Sequence, residues 1–148
     1  MKKNFYLIIA LVFSLGLISC SSDDDSPTVT GPQFTIVGTW KVTNIFINGI
    51  EHNVNDYCPY KGLFQFINGG TYVENPYTQN GINCISTDAI GGTWSNLGNT
   101  YTISLTNNVS SSVLPTTFHP ITDEINLNKF ELNLTAGGIP TKLIFTKQ

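Results

Sequence analysis

The side chains of this sequence that could do chemistry are three cysteines, two histidines and a modest number of carboxylates. Glu51 and His52 are adjacent and Asp56 follows shortly, a grouping that could form an acid–base pair or part of a metal site. No recognised ligand spacing continues from them, and His119 lies far along the chain. Phosphate-binding glycine loops are also absent. The sequence therefore predicts no catalytic residue, no metal site and no cofactor.

Cys20 ends an N-terminal segment with the composition of an export signal. Lys2 and Lys3 precede an apolar stretch, residues 5–18, that is too short for a stop-transfer helix. Its last residues, Leu17-Ile18-Ser19-Cys20, resemble a bacterial lipobox, which implies a signal peptide at 1–19 and lipidation (palmitate among the acyl chains) at Cys20. Several acyl chains anchor a protein far better than one. The alternative is an ordinary secretory leader that happens to contain a cysteine.

Residues 20–33 read as the lipidated cysteine followed by an acidic tether. The run Ser21-Ser22-Asp23-Asp24-Asp25 cannot bury apolar surface, and as a flexible coil the tether would span roughly 20 Å. The same run resembles the acidic export signal of Bacteroidota surface lipoproteins. That resemblance implies an outer-membrane protein exposed at the cell surface, whereas a plain spacer is the alternative.

Cys58 and Cys84 form an even pair of cysteines in a chain with an export signal. A hairpin turn is predicted at residues 68–70, and both cysteines lie beyond the opposite end of that hairpin, so they belong to the same rim. We therefore predict a disulfide that closes a loop of about 27 residues and stabilises the fold by roughly 3–4 kcal/mol.

The charge balance excludes several partners. The chain has 7 basic and 10 acidic residues and no arginine; removing Lys2 and Lys3 with the leader leaves 5 against 10, a net charge near −5. An acidic surface without arginine argues against nucleic acid, phosphate or heparin as partners. Attachment to a membrane must come from the lipid, because no basic patch supplies it.

The domain at 34–148 has the pattern of an all-β protein. Short alternating runs are separated by glycine, proline and asparagine, and no sustained 3.6-residue apolar period occurs. Strands are predicted at 40–47, 63–67, 71–74, from 92 to a turn near 97–99, and at 101–106, 121–127, 130–134 and 141–147, with a short return at 50–54. Asn48-Gly49 favours a type I′ turn.

Some finer expectations also follow from this pattern. On the first strand, period two places Gly38, Trp40, Val42 and Phe46 on one face. Residues 55–61 and 75–91 are expected to be loops. Sequential hairpins with one apolar face make either an up-and-down barrel or a sandwich, and we favour a barrel of about eight strands because it removes both sheet edges.

The chain also resembles the lipocalin-like domain of small Bacteroidota lipoproteins. The resemblance rests on Gly38-Thr39-Trp40-Lys41, Phe64-x-Phe66-x-x-x-Gly70-x-Tyr72, Gly92-Thr93-Trp94 before Tyr101-Thr102-Ile103, and the closing Leu143-Ile144-Phe145-Thr146-Lys147. It implies an antiparallel barrel in which the first Gly-x-Trp packs at the closed end. Lipocalins place an arginine over that tryptophan. This chain has none, so Lys147 or Lys142 is the candidate for a cation–π contact.

Aromatic residues are expected to point into the barrel, where they either fill it or line a ligand cavity. They are Trp40, Phe64, Phe66, Tyr72, Trp94, Tyr101, Phe130 and Phe145. The more open end is expected near the disulfide, with Tyr57, Tyr60 and Tyr77. Two hypotheses follow: a carrier of a small apolar or amphipathic ligand, or a filled barrel whose loops engage a protein or a glycan. An internal cavity favours the carrier, and a solid interior favours the interaction module.

Overall fold

The computed structural model describes residues 33–106, 113–123 and 125–148. The predicted signal peptide at 1–19, the lipidation site Cys20 and all but the last residue of the tether at 20–33 lie outside the described residues. Within the described ranges, no helix has the length and apolar character needed to cross a membrane.

Strands dominate the described part of the chain, as predicted. They are β1 (Gly38–Ile47), β2 (Ile50–His52), β3 (Leu63–Ile67), β4 (Thr71–Asn75), β5 (Tyr77–Asn80), β6 (Asn83–Ser86), β7 (Ile90–Leu97), β8 (Thr100–Leu105), β9 (Thr117–Phe118), β10 (Ile121–Thr122), β11 (Lys129–Ala136) and β12 (Ile139–Lys147). Two short 3-10 helices, Val54–Asp56 and Cys58–Lys61, connect β2 to β3.

The main sheet is a curled antiparallel half-barrel in which most neighbours are consecutive hairpin strands. Its order is β10-β11-β12-β1-β3-β4-β7-β8-β9, and β2 pairs with the far part of β1. The two edge strands of the sheet, β9 and β10, are consecutive in the sequence and are separated only by His119 and Pro120. The sheet therefore curls until this short connection can join its two edges. Counting β9 and β10 as one bent strand gives a wall of eight. This confirms the all-β, up-and-down, lipocalin-like architecture.

The first hairpin forms as its turn residues require. Asn48 and Gly49 have φ values of 52° and 81°, the two positive values that define a type I′ turn. Ile47 pairs with Ile50 across this turn, so the register of β2 follows directly from it. β2 is only three residues long, and the chain then leaves the sheet.

A β-bulge in β1 corrects one expectation. Val42 pairs with Phe145, but Asn44 pairs with Ile144, so Thr43 is an extra residue between them. The extra residue reverses the inside–outside alternation beyond that point. Ile45 is therefore fully buried, and Phe46, which was predicted to share the face of Trp40, lies on the outer side beneath Lys142.

The expected loop at 75–91 contains a small hairpin, so that expectation was wrong. Strands β5 and β6 pair from Tyr77 with Ser86 to Asn80 with Asn83 and form a separate two-stranded sheet. Its residues are mostly exposed and polar, so the sequence has no apolar alternation from which the hairpin could be predicted. The hairpin projects from the end of the barrel at which β3 begins and β4 ends.

The predicted strand at 121–127 was wrong over most of its length. β10 ends at Thr122, and the next residues make turns in which Asp123 Oδ1 accepts from Ile125 N at 2.9 Å and Asn126 Oδ1 accepts from Asn128 N at 3.3 Å. Aspartate and asparagine side chains that bond to the backbone two residues ahead compete with strand pairing. Ile125 is consequently 94% exposed.

Candidate functional site

The interior of the half-barrel contains most of the aromatic side chains predicted to point inward. Seven of the eight are buried: Trp40, Phe64, Phe66, Tyr72, Tyr101, Phe130 and Phe145. The eighth, Trp94, is half-buried, because it lies near the end of β7, where its ring contacts Phe66 and its Nε1 donates to the Ile67 carbonyl at 2.9 Å. Trp94 thus contacts the interior rings without being enclosed by them.

These interior rings pack directly against one another. Phe130 stacks on Phe145 with 4.5 Å between centroids, and Phe64 meets Phe145 edge-on at 5.4 Å. Trp40 meets Phe130 edge-on at 4.8 Å. Aliphatic residues complete the same cluster: Ile36, Val42, Ile45, Ile103, Leu114, Leu132 and Leu143. The described interior positions are thus occupied by the protein's own side chains.

One end of the barrel is closed around Trp40. Its Nε1 donates to the Ile36 carbonyl at 2.6 Å, and the Phe34 ring lies 5.9 Å away. Lys147 Nζ lies 5.5 Å from the ring centroid, so Lys147 makes the cation–π contact for which two lysines were candidates. Gly38 has a φ of 143°, a backbone conformation that residues with a side chain rarely adopt, which explains the glycine of this Gly-x-Trp sequence.

The opposite end carries the predicted disulfide. Cys58 and Cys84 are bonded with their Cα atoms 5.2 Å apart, which joins the second 3-10 helix to the β5–β6 hairpin. Tyr57 and Tyr60 are half-buried and pack against the interior cluster, so this segment covers the end that was expected to be open. Burial raises the pKa of Tyr60 above its usual 10.0, and the neighbouring Tyr57 raises it further.

A buried carboxylate lies among the interior residues and was not singled out from the sequence. Glu74 is fully buried; its Oε2 accepts from the Tyr72 hydroxyl at 2.9 Å and its Oε1 from Val113 N at 3.3 Å. The signal was available, because period two on β4 places Glu74 on the same face as Tyr72. Its bonds connect the wall of the barrel to the segment that follows β8.

A cleft bordered by described residues lies on the outside of the barrel and is here called the β2 cleft. It has a volume of about 710 Å³ and opens where β1 leaves β3 after Lys41 and joins β2 at Ile45. Its lining is mainly polar: Lys41, Val42, Thr43, Glu51, His52, Asn53, Val54, Asn55, Lys61, Tyr77 and Gln148.

The polar groups of the β2 cleft differ in how they are engaged. Asn44 Nδ2 donates to Glu51 Oε1 at 2.7 Å, and the Tyr57 hydroxyl lies 3.3 Å from His52 Nδ1. Within the described ranges, Lys41 and Lys61 make no ion pair, and the one salt bridge joins two other residues. The cleft therefore offers amines, amides and one tyrosine ring to a ligand.

Glu51 and His52, the candidate acid–base or metal pair, each contact a different neighbour instead of each other. In the part of the chain that is described, no three His, Cys, Asp or Glu side chains converge on a metal position. His119 lies at the other end of the barrel, with its Nδ1 3.2 Å from the Thr100 hydroxyl. The two histidines are thus not brought together.

Comparison with known proteins identifies the fold family. Residues 36–134 match the family model described as a lipocalin-like domain, and no curated protein matches. The chain is similar to the crystal structure of a lipocalin-like protein from Bacteroides uniformis, with 17% identity, a TM-score of 0.49, and coverage of 76% of this chain and 97% of that one. It is also similar to an uncharacterized protein from Bacteroides eggerthii, with 20% identity, a TM-score of 0.45, and coverage of 76% and 98%.

Proposed function

The chain belongs to the lipocalin-like domain family, and from that premise we propose that it is a non-catalytic binding module that takes a saccharide in the β2 cleft. Of the two functions weighed from the sequence, this is the interaction module with a filled barrel. The observation that supports it is the contrast between the packed interior and a cleft of about 710 Å³ on the outer wall. That volume is within the usual range of small-molecule sites.

The composition of the β2 cleft suits a saccharide. The Asn53, Asn55 and Gln148 side chains provide amide donors and acceptors for hydroxyl groups. The Tyr77 ring offers an apolar surface for the face of a sugar ring. Lys41 and Lys61 add two positive charges against the one carboxylate of Glu51, which already accepts from Asn44. This balance favours a saccharide bearing a carboxylate, although the mature chain as a whole is acidic.

An apolar ligand inside the barrel, the first hypothesis from the sequence, meets a physical obstacle. It would have to displace buried rings such as Phe130 and Phe145, which stack at 4.5 Å. Separating such rings forfeits both their contacts and their burial. We therefore place the ligand outside the barrel wall.

The proposed location is the cell surface, with the protein held to the outer membrane by lipid on Cys20. The sequence features that support it are the lipobox-like Leu17-Ile18-Ser19-Cys20 and the acidic run that follows. Radiolabelled palmitate should be incorporated into the unmodified chain and lost in Cys20→Ser. Protease added to whole cells should remove the domain if it faces the medium.

Isothermal titration calorimetry with a panel of neutral and uronic-acid oligosaccharides tests the binding proposal. We expect at least one to bind, with affinity lost in Tyr77→Ala and reduced in Lys41→Ala. Lys129→Ala changes an exposed lysine outside the cleft and should leave affinity unchanged. Binding that survives both cleft substitutions would contradict the assignment of the site. Native mass spectrometry showing a lipophile that co-purifies with the domain would favour the carrier instead.

A further inference from the structure

The wall of the barrel is incomplete at the end that carries the disulfide. β9 pairs with only two residues of β8, and β10 pairs only with Phe130 and Glu131 of β11. From Leu132 to Ala136, β11 continues along β12, but within the described ranges no strand pairs with its other side. The last part of β11 is therefore a free sheet edge, a template on which another extended chain can pair.

The pairing of β11 with β12 shows which backbone groups face this edge. Ala136 and Ile139 flank a two-residue turn whose glycines both have positive φ, so these two residues exchange hydrogen bonds. Because bonding alternates along an antiparallel pair, Thr135 and Asn133 direct their N–H and C=O groups away from β12. Thr135 pairs with Pro140, which has no N–H to donate, in agreement with this assignment. No hydrogen bond joins these outward groups to any described residue.

A groove of about 370 Å³ lies beside the free edge. Residues 134–136 line it from β11, residues 113–115 line it from the segment before β9, and Tyr60 lines it from the second 3-10 helix. The far side is held in place, because Val113 N donates to Glu74 Oε1 at 3.3 Å. The described lining residues carry no charge and are mostly apolar, so the groove suits an uncharged, apolar side chain.

An extended polypeptide is the occupant that matches both the edge and the groove. Its outward N–H and C=O groups repeat every second residue, about 7 Å apart, as do those of Asn133 and Thr135. Sugars and acyl chains do not have this repeat of paired donors and acceptors. The added residue opposite half-buried Leu134 would point inward, toward the groove, while its two neighbours would point out to solvent. This is the arrangement by which peptides add a strand to a sheet.

The N-terminal segment of the same chain is poorly suited to this position. Residues 21–33 contain three aspartates and two prolines, and Val29 is their single large apolar residue. Proline lacks the N–H that an added strand must donate, and an acidic run does not match an uncharged groove. The segment also joins the domain next to Phe34, which packs against Trp40 at the opposite end of the barrel.

We propose that the free edge of β11 binds an extended segment of a partner protein. The segment adds a strand opposite Asn133–Thr135 and places an apolar side chain beside Leu134 in the groove. This site shares no lining residue with the β2 cleft, so it is separate from the proposed saccharide site and does not depend on it.

Amide hydrogen exchange of the full-length protein, followed by NMR in detergent, tests whether the edge is free. We expect the amides of Asn133 and Thr135 to exchange at least about tenfold faster than those of Leu132 and Leu134, which bond to β12. The two pairs are interleaved on one strand, so each controls for the other. Slow exchange at Asn133 and Thr135 would show that the edge is already paired and would overturn the proposal.

A phage-displayed library of random peptides, selected on the immobilised full-length protein, supplies the binding probe. We expect selected peptides to alternate apolar and polar residues and to slow exchange at Asn133 and Thr135. Thr135→Pro deletes one outward N–H without removing a bond to β12, and it should weaken binding at least about tenfold. Ser86→Pro is the matched control, because it puts a proline on the exposed β6 strand away from the groove and should leave affinity unchanged.

Each other outcome contradicts the proposal. A selection that enriches no peptide would overturn it, as would peptides that bind Thr135→Pro and the unmodified protein equally well. If Thr135→Pro does not fold, N-methylated peptides decide with the unmodified protein: methylation of the amides that face β11 should abolish binding, and methylation of the alternate amides should not. A dimer whose Asn133 and Thr135 amides are protected would assign the edge to a second copy of the chain and also overturn the proposal.

Discussion

Removal of the Cys58–Cys84 disulfide should lower the free energy of unfolding by about 3.5 kcal/mol. The two cysteines are 26 residues apart, and the chain-entropy model gives this value for a loop of that length. Strain relief would reduce the loss. Strain is not expected to be large, since a Cα–Cα distance of 5.2 Å is ordinary for a disulfide.

Urea denaturation of the Cys58→Ser/Cys84→Ser variant, followed by Trp40 fluorescence, measures the effect. For slopes of about 1–3 kcal/mol per molar urea, the midpoint should fall by roughly 1–3.5 M. Reduction of the unmodified protein should produce the same shift, which controls for any local effect of serine at buried Cys58. A loss below about 1 kcal/mol would refute the reasoning, as would labelling of both thiols in unfolded, unreduced protein.

Three further predictions concern backbone contact, charge and pH. Gly92→Ala should lower the free energy of unfolding by about 1–3 kcal/mol, because the new Cβ would lie 2.5 Å from a backbone oxygen of β8. Gly91→Ala is the control, since a Cβ there meets nothing within 4 Å, and thermal unfolding of the two variants measures the difference. Lys147→Gln should cost about 0.5–2 kcal/mol by removing the cation from the buried indole, while an arginine there should restore stability in urea titrations; equal losses in both would contradict this. Burial raises the pKa of Tyr101 and Tyr60, so the stability they add is complete below pH 10 and is lost as pH rises above it, which absorbance titration and unfolding at alkaline pH should show.

The sequence predicted the main strands because their signals are local. Asn48-Gly49 determines a two-residue turn, and the turn determines the pairing that follows it. The alternation in β8 and β12 survives intact, and their inward residues Ile103 and Leu143 are buried as the pattern requires. The prediction that Cys58 and Cys84 lie at the same end of the barrel used only the turn of the hairpin between them and needed no long-range pairing.

Two of the errors occur where the outcome depends on another segment of the chain. Nothing in the sequence around Thr43 indicates a bulge. It is the extra residue in the pairing of β1 with β12, at the point where β1 passes from pairing with β3 to pairing with β2. The β5–β6 hairpin also has no signal in its own sequence, because its side chains are mostly polar. The disulfide at Cys84 attaches it to the rest of the domain.

Whether the barrel is hollow or filled could not be predicted from the inward pattern, because the same alternation lines a cavity or packs a core. The difference arises from segments outside the strands. Phe34 closes one end against Trp40 and Phe130, and Tyr57 and Tyr60 cover the other. Because both ends are covered and the rings between them are in contact, we place the proposed ligand site on the outer wall, in the β2 cleft where β1 passes from pairing with β3 to pairing with β2.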